Sequence, residues 1–450
     1  MRREFLADVV KLSLPLVFTG LINFLTSLTS SLLVGRLGDE ATAAIYTGTL
    51  ILTALTMLVG GIEGGILVSV PKKLGEKDER RACGAAAIGV IAVTLLGAVS
   101  TALILPFSGK IASLILRGSD SMRAAEYLRT LTASFLPTAV SLALGAVAKA
   151  TGSTRYPLIA SLVAFGVNLA LCYVLIFGKG GIPPMGERGA AVAIAVSRGA
   201  EALTLLLLLL IKHRGRGILR TVKVALGGIG RGVAKDFLLC VLPLLLGQTV
   251  WIINTLFSAS LIGKVGTGAD FAGLAIANTL NTVSYIIPSA LAVGLGIIIS
   301  RGEGEREEED KSNTANAKKA KIRVAEILFI CIGAGTAIAL LLSRSAFISL
   351  YNVSENARAT ASALITVVAV TAGTNVYGNS LLLGIIRASG DVTFPPKLDA
   401  FFVLLVIIPA SLIAARLGAP LPLIFLITRC DHILKIIPTR MRISTFGASI

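Results

Sequence analysis

The chain is a succession of long apolar runs separated by short polar connections. Six runs occupy the first half, 9–34, 46–70, 83–107, 124–148, 156–177 and 189–211, and six the second, 237–262, 271–299, 324–343, 359–386, 395–416 and 420–437. Most reach the roughly 20 residues that a helix needs to cross the hydrocarbon of a bilayer. Apolar positions do not alternate every second residue and aromatics are only 6% of the chain, which argues against a membrane β-barrel. Helices remain as the way to satisfy backbone N–H and C=O groups in lipid. The pattern predicts an all-α integral membrane protein with twelve transmembrane helices.

Composition sharpens this. A hydrophobic fraction of 54%, with only 15% charged residues, excludes a soluble enzyme on a membrane tether. The formal net charge of +17 would point to nucleic acid in a soluble protein, but here the position of each charge matters first. Lys and Arg gather in the connections after even-numbered runs, above all in 212–236, which carries Lys212, Arg214, Arg216, Arg220, Lys223, Arg231 and Lys235. That face is therefore expected in the cytoplasm, with both termini, and the partner is the lipid bilayer rather than nucleic acid. The predicted location is the cell membrane, and the first run reads as a span rather than a cleaved signal. The acidic stretch Glu303 to Asp310 reads as a solvated loop. The five cysteines lie in or beside different runs without a CxxC pair, so free thiols are expected. No HExxH occurs and His213 and His432 are far apart, which disfavours a membrane enzyme or a metal site.

The two halves echo each other. VGRLG at Val34 to Gly38 returns as IGKVG at Ile262 to Gly266, and Pro15 returns as Pro243 at the same offset. KATGSTRYP at Lys149 to Pro157 returns as RASGDVTFP at Arg387 to Pro395. Six spans per repeat is an even number, so both repeats enter the membrane in the same direction. Residues 1–211 are then one lobe, 212–236 a basic cytoplasmic linker and 237–450 a second lobe, the two flanking a central cavity as in transporters. The expected working unit is a monomer.

VGRLGDEATAAI, KATGSTRYPLIASLVAFGVNLAL, GERGAAVAIAVSR and RASGDVTFPPKLD, in this order and spacing, resemble the multidrug and toxic compound extrusion (MATE) family. The ending DHILKIIPTRMRIS is similar to its bacterial members. The resemblance implies a two-lobed antiporter that expels amphipathic or cationic organic compounds in exchange for protons or sodium, with no other cofactor. It also implies a coupling site made of a first-helix aspartate with an Asn, an Asp and a Thr on the fifth and sixth helices. Those positions read Ser30, Asn168, Cys172 and Ile194 here, so only Asn168 survives. A flippase for lipid-linked precursors is the alternative. Basic residues lining the cavity would favour it, because its substrate carries phosphates.

Acids within apolar runs need a cation, a wet cavity or a proton. Glu63 lies among glycines with no basic residue within a turn, which leaves a neutral structural carboxyl and an ion-coupling role both open. Glu201 follows Arg198 by one turn and reads as a local pair. Asp431 has Lys435 at i+4 and His432 beside it, as a pair or as a proton site in the second lobe. Asp399, four residues past Pro395, is expected in water at the cytoplasmic surface. Gln248, Trp251 and Asn254 share one face of the seventh run, suited either to a flat substrate or to helix packing. Pro15, Pro137, Pro243 and Pro409 lie inside runs as bending points.

Overall fold

The computed structural model describes residues 2–35, 39–115, 119–179, 181, 183–211, 230–266, 268–306, 314–349, 351 and 354–448. Among them there is no strand, and the apolar runs fold as helices: α1 (Arg2–Gly35), α2 (Asp39–Gly75), α3 (Glu79–Ile115), α4 (Ser119–Leu131), α5 (Phe135–Ala150), α6 (Arg155–Phe177) and α7 (Glu187–Ile211). The second half contains α8 (Arg231–Val265), α9 (Gly268–Arg306), α10 (Thr314–Ile348), α11 (Glu355–Leu381), α12 (Phe394–Phe402), α13 (Ile408–Arg416), α14 (Leu421–Ile427), α15 (Asp431–Leu434) and α16 (Ile436–Ala448).

Eleven of the twelve expected spans are present among the described residues as helical segments long and apolar enough to cross a membrane. The proline-marked irregularities have local causes. Pro137 lacks an N–H, and a single 3₁₀ turn at Thr132–Ser134 joins α4 to α5 just before it. Pro409 follows a π-helical segment, Val403–Ile407, that absorbs its missing hydrogen bond. The twelfth run differs. It is split into α14, α15 and α16, and its backbone tightens to i−3 bonds at the break: Arg429 to Leu426, Cys430 to Ile427 and His432 to Arg429. Hydropathy alone makes 420–437 one span, because it registers apolar content and not backbone pairing.

The expected linker is shorter than 212–236. Residues 212–229, with its first five basic residues, lie outside the described residues. Arg231 to Asp236 already belong to α8, which starts just past the helix-weakening Gly227, Gly228 and Gly230.

Packing divides the chain into two units, Phe18–Leu245 and Met1–Val17 with Leu246–Ile450. The first is built round Val59, Ile66, Tyr127, Leu128, Phe135 and Phe237. The second has one core round Leu295, Phe329, Leu381 and Ile385, which includes Val9 of α1, and another round Ile262, Leu364 and Val368. Each unit thus contains the opening turns of the other repeat's first helix. Close approach needs glycine in both: a Cβ on Gly65 of α2 would overlap Val241 of α8, and one on Gly294 of α9 would overlap Ser13 of α1. Ser13 and Val241 are separated by the same offset as Pro15 and Pro243, so the repeat read from sequence recurs in packing.

Candidate functional site

Two buried polar groups stand out, one in each unit. In the first, Ser30 of α1 donates to Asn168 Oδ1 of α6 at 3.0 Å, and Cys172 Sγ lies 3.8 Å from the same hydroxyl. One turn of α6 separates Asn168 and Cys172, which puts both on the face toward α1. Asn168 in turn points its amide at Ser197 Oγ of α7, 3.5 Å away, and Ser197 is anchored on the Ile194 carbonyl at 2.9 Å. Ile194 packs its side chain against the apolar core of this unit and offers no hydroxyl. The four positions of the expected coupling site therefore lie in one region of the unit, but three of them, with Ser197, form a closed neutral network. Asn168 is 1% exposed and Cys172 0%.

Close to it in sequence, Arg198 Nη1 binds Glu201 Oε2 at 2.7 Å and approaches Asn23 Oδ1 at 3.4 Å. The local pair expected for Glu201 is thus formed. Glu63 departs from expectation: Lys149 Nζ, at the end of α5, contacts its Oε1. The cation is 86 residues away in sequence and close in space, so a search within one helical turn misses it. Glu63 is an ion-paired residue rather than a carboxyl without a cation.

In the second unit, Lys435 Nζ lies 2.6 Å from Asp431 Oδ2 and 2.6 Å from Asp399 Oδ1. Asp431 is 1% exposed and Lys435 only 2%. The short α15 holds the i,i+4 pair on one face, while α12 brings Asp399 from the RASGDVTFPPKLD segment. Asp399 was expected in water near Pro395. It is instead enclosed, because Trp251 Nε1 of α8 donates to its Oδ2 at 3.2 Å and Lys435 covers its other oxygen. The Trp251 ring lies 5.0 Å below the Lys435 ammonium and stacks on His432 with centroids 5.8 Å apart. His432 Nδ1 is 3.5 Å from Asp431 Oδ2.

Of the face Gln248, Trp251 and Asn254, Trp251 is the one that joins this cluster among the described residues. Gln248 is half-buried, and Asn254 is buried with its Oδ1 unpartnered among the described residues. A second polar layer lies near this cluster. Arg429 at the helix break donates to Asn281 Oδ1 at 2.8 Å and Thr371 Oγ1 at 3.3 Å. Tyr285 of α9 contacts Asn375 of α11 and accepts from Asn379 at 2.6 Å. Sequence reading passes over this layer, because single Asn and Tyr residues in apolar runs carry no spacing signal. All five cysteines are free, and no group of three His, Cys, Asp or Glu side chains gathers as a metal site among the described residues.

Comparison with known proteins places this architecture. A family model described as MatE matches residues 15–174. The chain is 26% identical over 205 residues to a probable multidrug resistance protein NorM of Thermotoga maritima, a match covering 45% of this chain and 44% of that one. It is 27% identical over 193 residues to the multidrug export protein MepA of Staphylococcus aureus, covering 42% of each. In both cases the match spans less than half of the relative's own length. Among solved structures, an outward-facing multidrug resistance MATE family transporter of the MOP superfamily is similar with a TM-score of 0.83 at 20% identity, over 98% of this chain and 96% of that one. A MOP superfamily transporter from Pyrococcus furiosus, described as having a binding pocket of reversed polarity, has a TM-score of 0.82 at 20% identity over 98% and 96% of the two chains.

Proposed function

We propose that the chain is a transporter of the MatE family, which a family model matches over residues 15–174, and that it is a secondary active exporter of amphipathic or cationic organic compounds in the cytoplasmic membrane. The observation that carries this is the match to multidrug export proteins on an all-helical, multi-pass chain. In this reading residues 1–211 and 237–450 are two lobes that alternate access to a substrate, with both termini and residues 212–229 on the cytoplasmic side. The division into packing units falls two residues after Pro15 and after Pro243, where a helix lacking one backbone bond bends most easily.

Export against a gradient needs an ion to drive it, and a proton or sodium ion is the driving species in this reading. The flippase alternative finds less support. Arg198, Lys435 and Lys149 are each engaged by a carboxylate, and the deep Arg429 is held by Asn281 and Thr371, which leaves these cations poorly disposed to receive phosphates. The test is export of a fluorescent organic cation from proteoliposomes, with proton and sodium gradients imposed separately. Transport that follows one of the two gradients is expected; transport of the dye under neither gradient would overturn the reading.

A further inference from the structure

The cluster around Lys435 has a feature that a static ion pair does not need. Two carboxylates share one ammonium in a nearly sealed place, with the Arg429 guanidinium also facing Asp431, and the arrangement leaves one oxygen over. Asp431 Oδ1 is buried and has no hydrogen-bond partner among the described residues. A carboxylate oxygen in that position forfeits hydration without compensation. The surrounding backbone is also irregular. A π-helical segment, Leu382–Ile386, follows α11, and the twelfth run breaks at Thr428 to Cys430 immediately before Asp431. Broken and π-bulged helices inside a membrane are tolerated where they form a site rather than where they face lipid. In the first unit the neutral Ser30 network has no such breaks around it: α1, α6 and α7 run as single α-helices.

From the unpartnered Asp431 Oδ1 beside a Lys435 shared with Asp399, we infer that Asp431 is a proton-exchanging site, and that its proton is the one that drives export. The second half of this inference rests on the export reading; the first half does not. The exchange is simple in charge. A proton from the bulk solvent adds to the Asp431 carboxylate and removes its negative charge, and Lys435 is left paired with Asp399 alone. Loss of that proton restores the bridge between the two acids. A proton fits better than sodium because the place between the two carboxylates is already filled by an ammonium at 2.6 Å from each, which a metal cation would have to displace. The charged and titratable groups facing Asp431 are Asp399 from α12, Tyr285 from α9, and Arg429, Cys430, His432 and Lys435 from its own segment; α11 contributes only neutral side chains in the Tyr285 layer. His432 is the rival titrating group, so the test must separate the two.

Trp251 is the only tryptophan in the chain, and it touches Asp399, Lys435 and His432. Its emission in the purified full-length protein therefore reads the cluster directly. The expected result is a single one-proton transition, unmoved by added sodium chloride. It should vanish in Asp431→Asn and persist in His432→Gln. Asp431→Glu, which keeps the acid, should retain a displaced transition and serves if the asparagine variant fails to fold. No transition in the natural protein, its persistence in Asp431→Asn, or its loss in His432→Gln would overturn the site. Export by a protein whose Trp251 shows no transition refutes the site and leaves export standing. A transition in a protein that exports nothing supports the site and refutes export.

Discussion

The α1–α6–α7 network of the first unit and the α8–α12–α15 cluster of the second are both buried, but they solve burial in opposite ways. Around Ser30, Asn168, Cys172 and Ser197 every group is neutral, and each finds a partner within the network or on its own helix. Around Lys435 the groups are charged, and one oxygen of Asp431 is left unpartnered. A neutral, satisfied network has no state to switch to when a proton or cation arrives. A charged one with an open position does, because its net charge and bridging pattern both change. The difference teaches that the position where a family's coupling acids are expected need not be where a given chain keeps its charge.

The largest effect should come from removing the shared cation. Lys435→Met leaves two buried carboxylates facing each other, and breaking a buried pair costs about 3–5 kcal/mol, so thermal unfolding in detergent should drop steeply. Adding Asp431→Asn to that variant should recover part of the loss, and a double variant no more stable than the single would separate the two residues energetically. Next is Glu63→Gln, which strands Lys149 at a partly buried site and should cost about 1–3 kcal/mol by the same measurement. Its transport should keep an unchanged pH profile, since the pair lies outside the switching cluster. A flattened profile would make Glu63 a coupling residue after all.

Ser30→Ala removes one neutral hydrogen bond and should cost about 1 kcal/mol, with cation dependence of transport unaltered. The smallest effect is expected for Arg188→Ala, whose pair with Glu126 is half exposed; a change within about 0.5 kcal/mol fits a solvent-screened bridge. A larger loss there would mean that the α4 to α7 contact is more than a surface pair.

These contrasts also show what the sequence makes legible. Apolar run length locates eleven spans closely, because burying backbone in lipid admits few alternatives to helix. The i,i+3 and i,i+4 pairs Arg198 with Glu201 and Asp431 with Lys435 are readable because helix geometry fixes them locally. What escapes is every pairing between helices. Lys149 meets Glu63 from another helix, and Asp399 looks hydrated beside Pro395 until Trp251 and Lys435 close over it. The break at Thr428 to Cys430 is equally silent, since none of those residues is Pro or Gly. Contacts of this kind follow from the crossing of spans, which hydropathy does not encode.

The most direct test of the account sets the two regions against each other in one assay. Proteoliposomes containing the natural protein, Asp431→Asn or Asn168→Ala are loaded with a fluorescent organic cation, and export is followed with and without an imposed proton gradient. The account predicts that the gradient accelerates export by the natural protein and by Asn168→Ala, and has no effect on Asp431→Asn. Gradient-driven export that survives Asp431→Asn but disappears in Asn168→Ala would return the coupling site to the neutral network of the first unit and contradict the account.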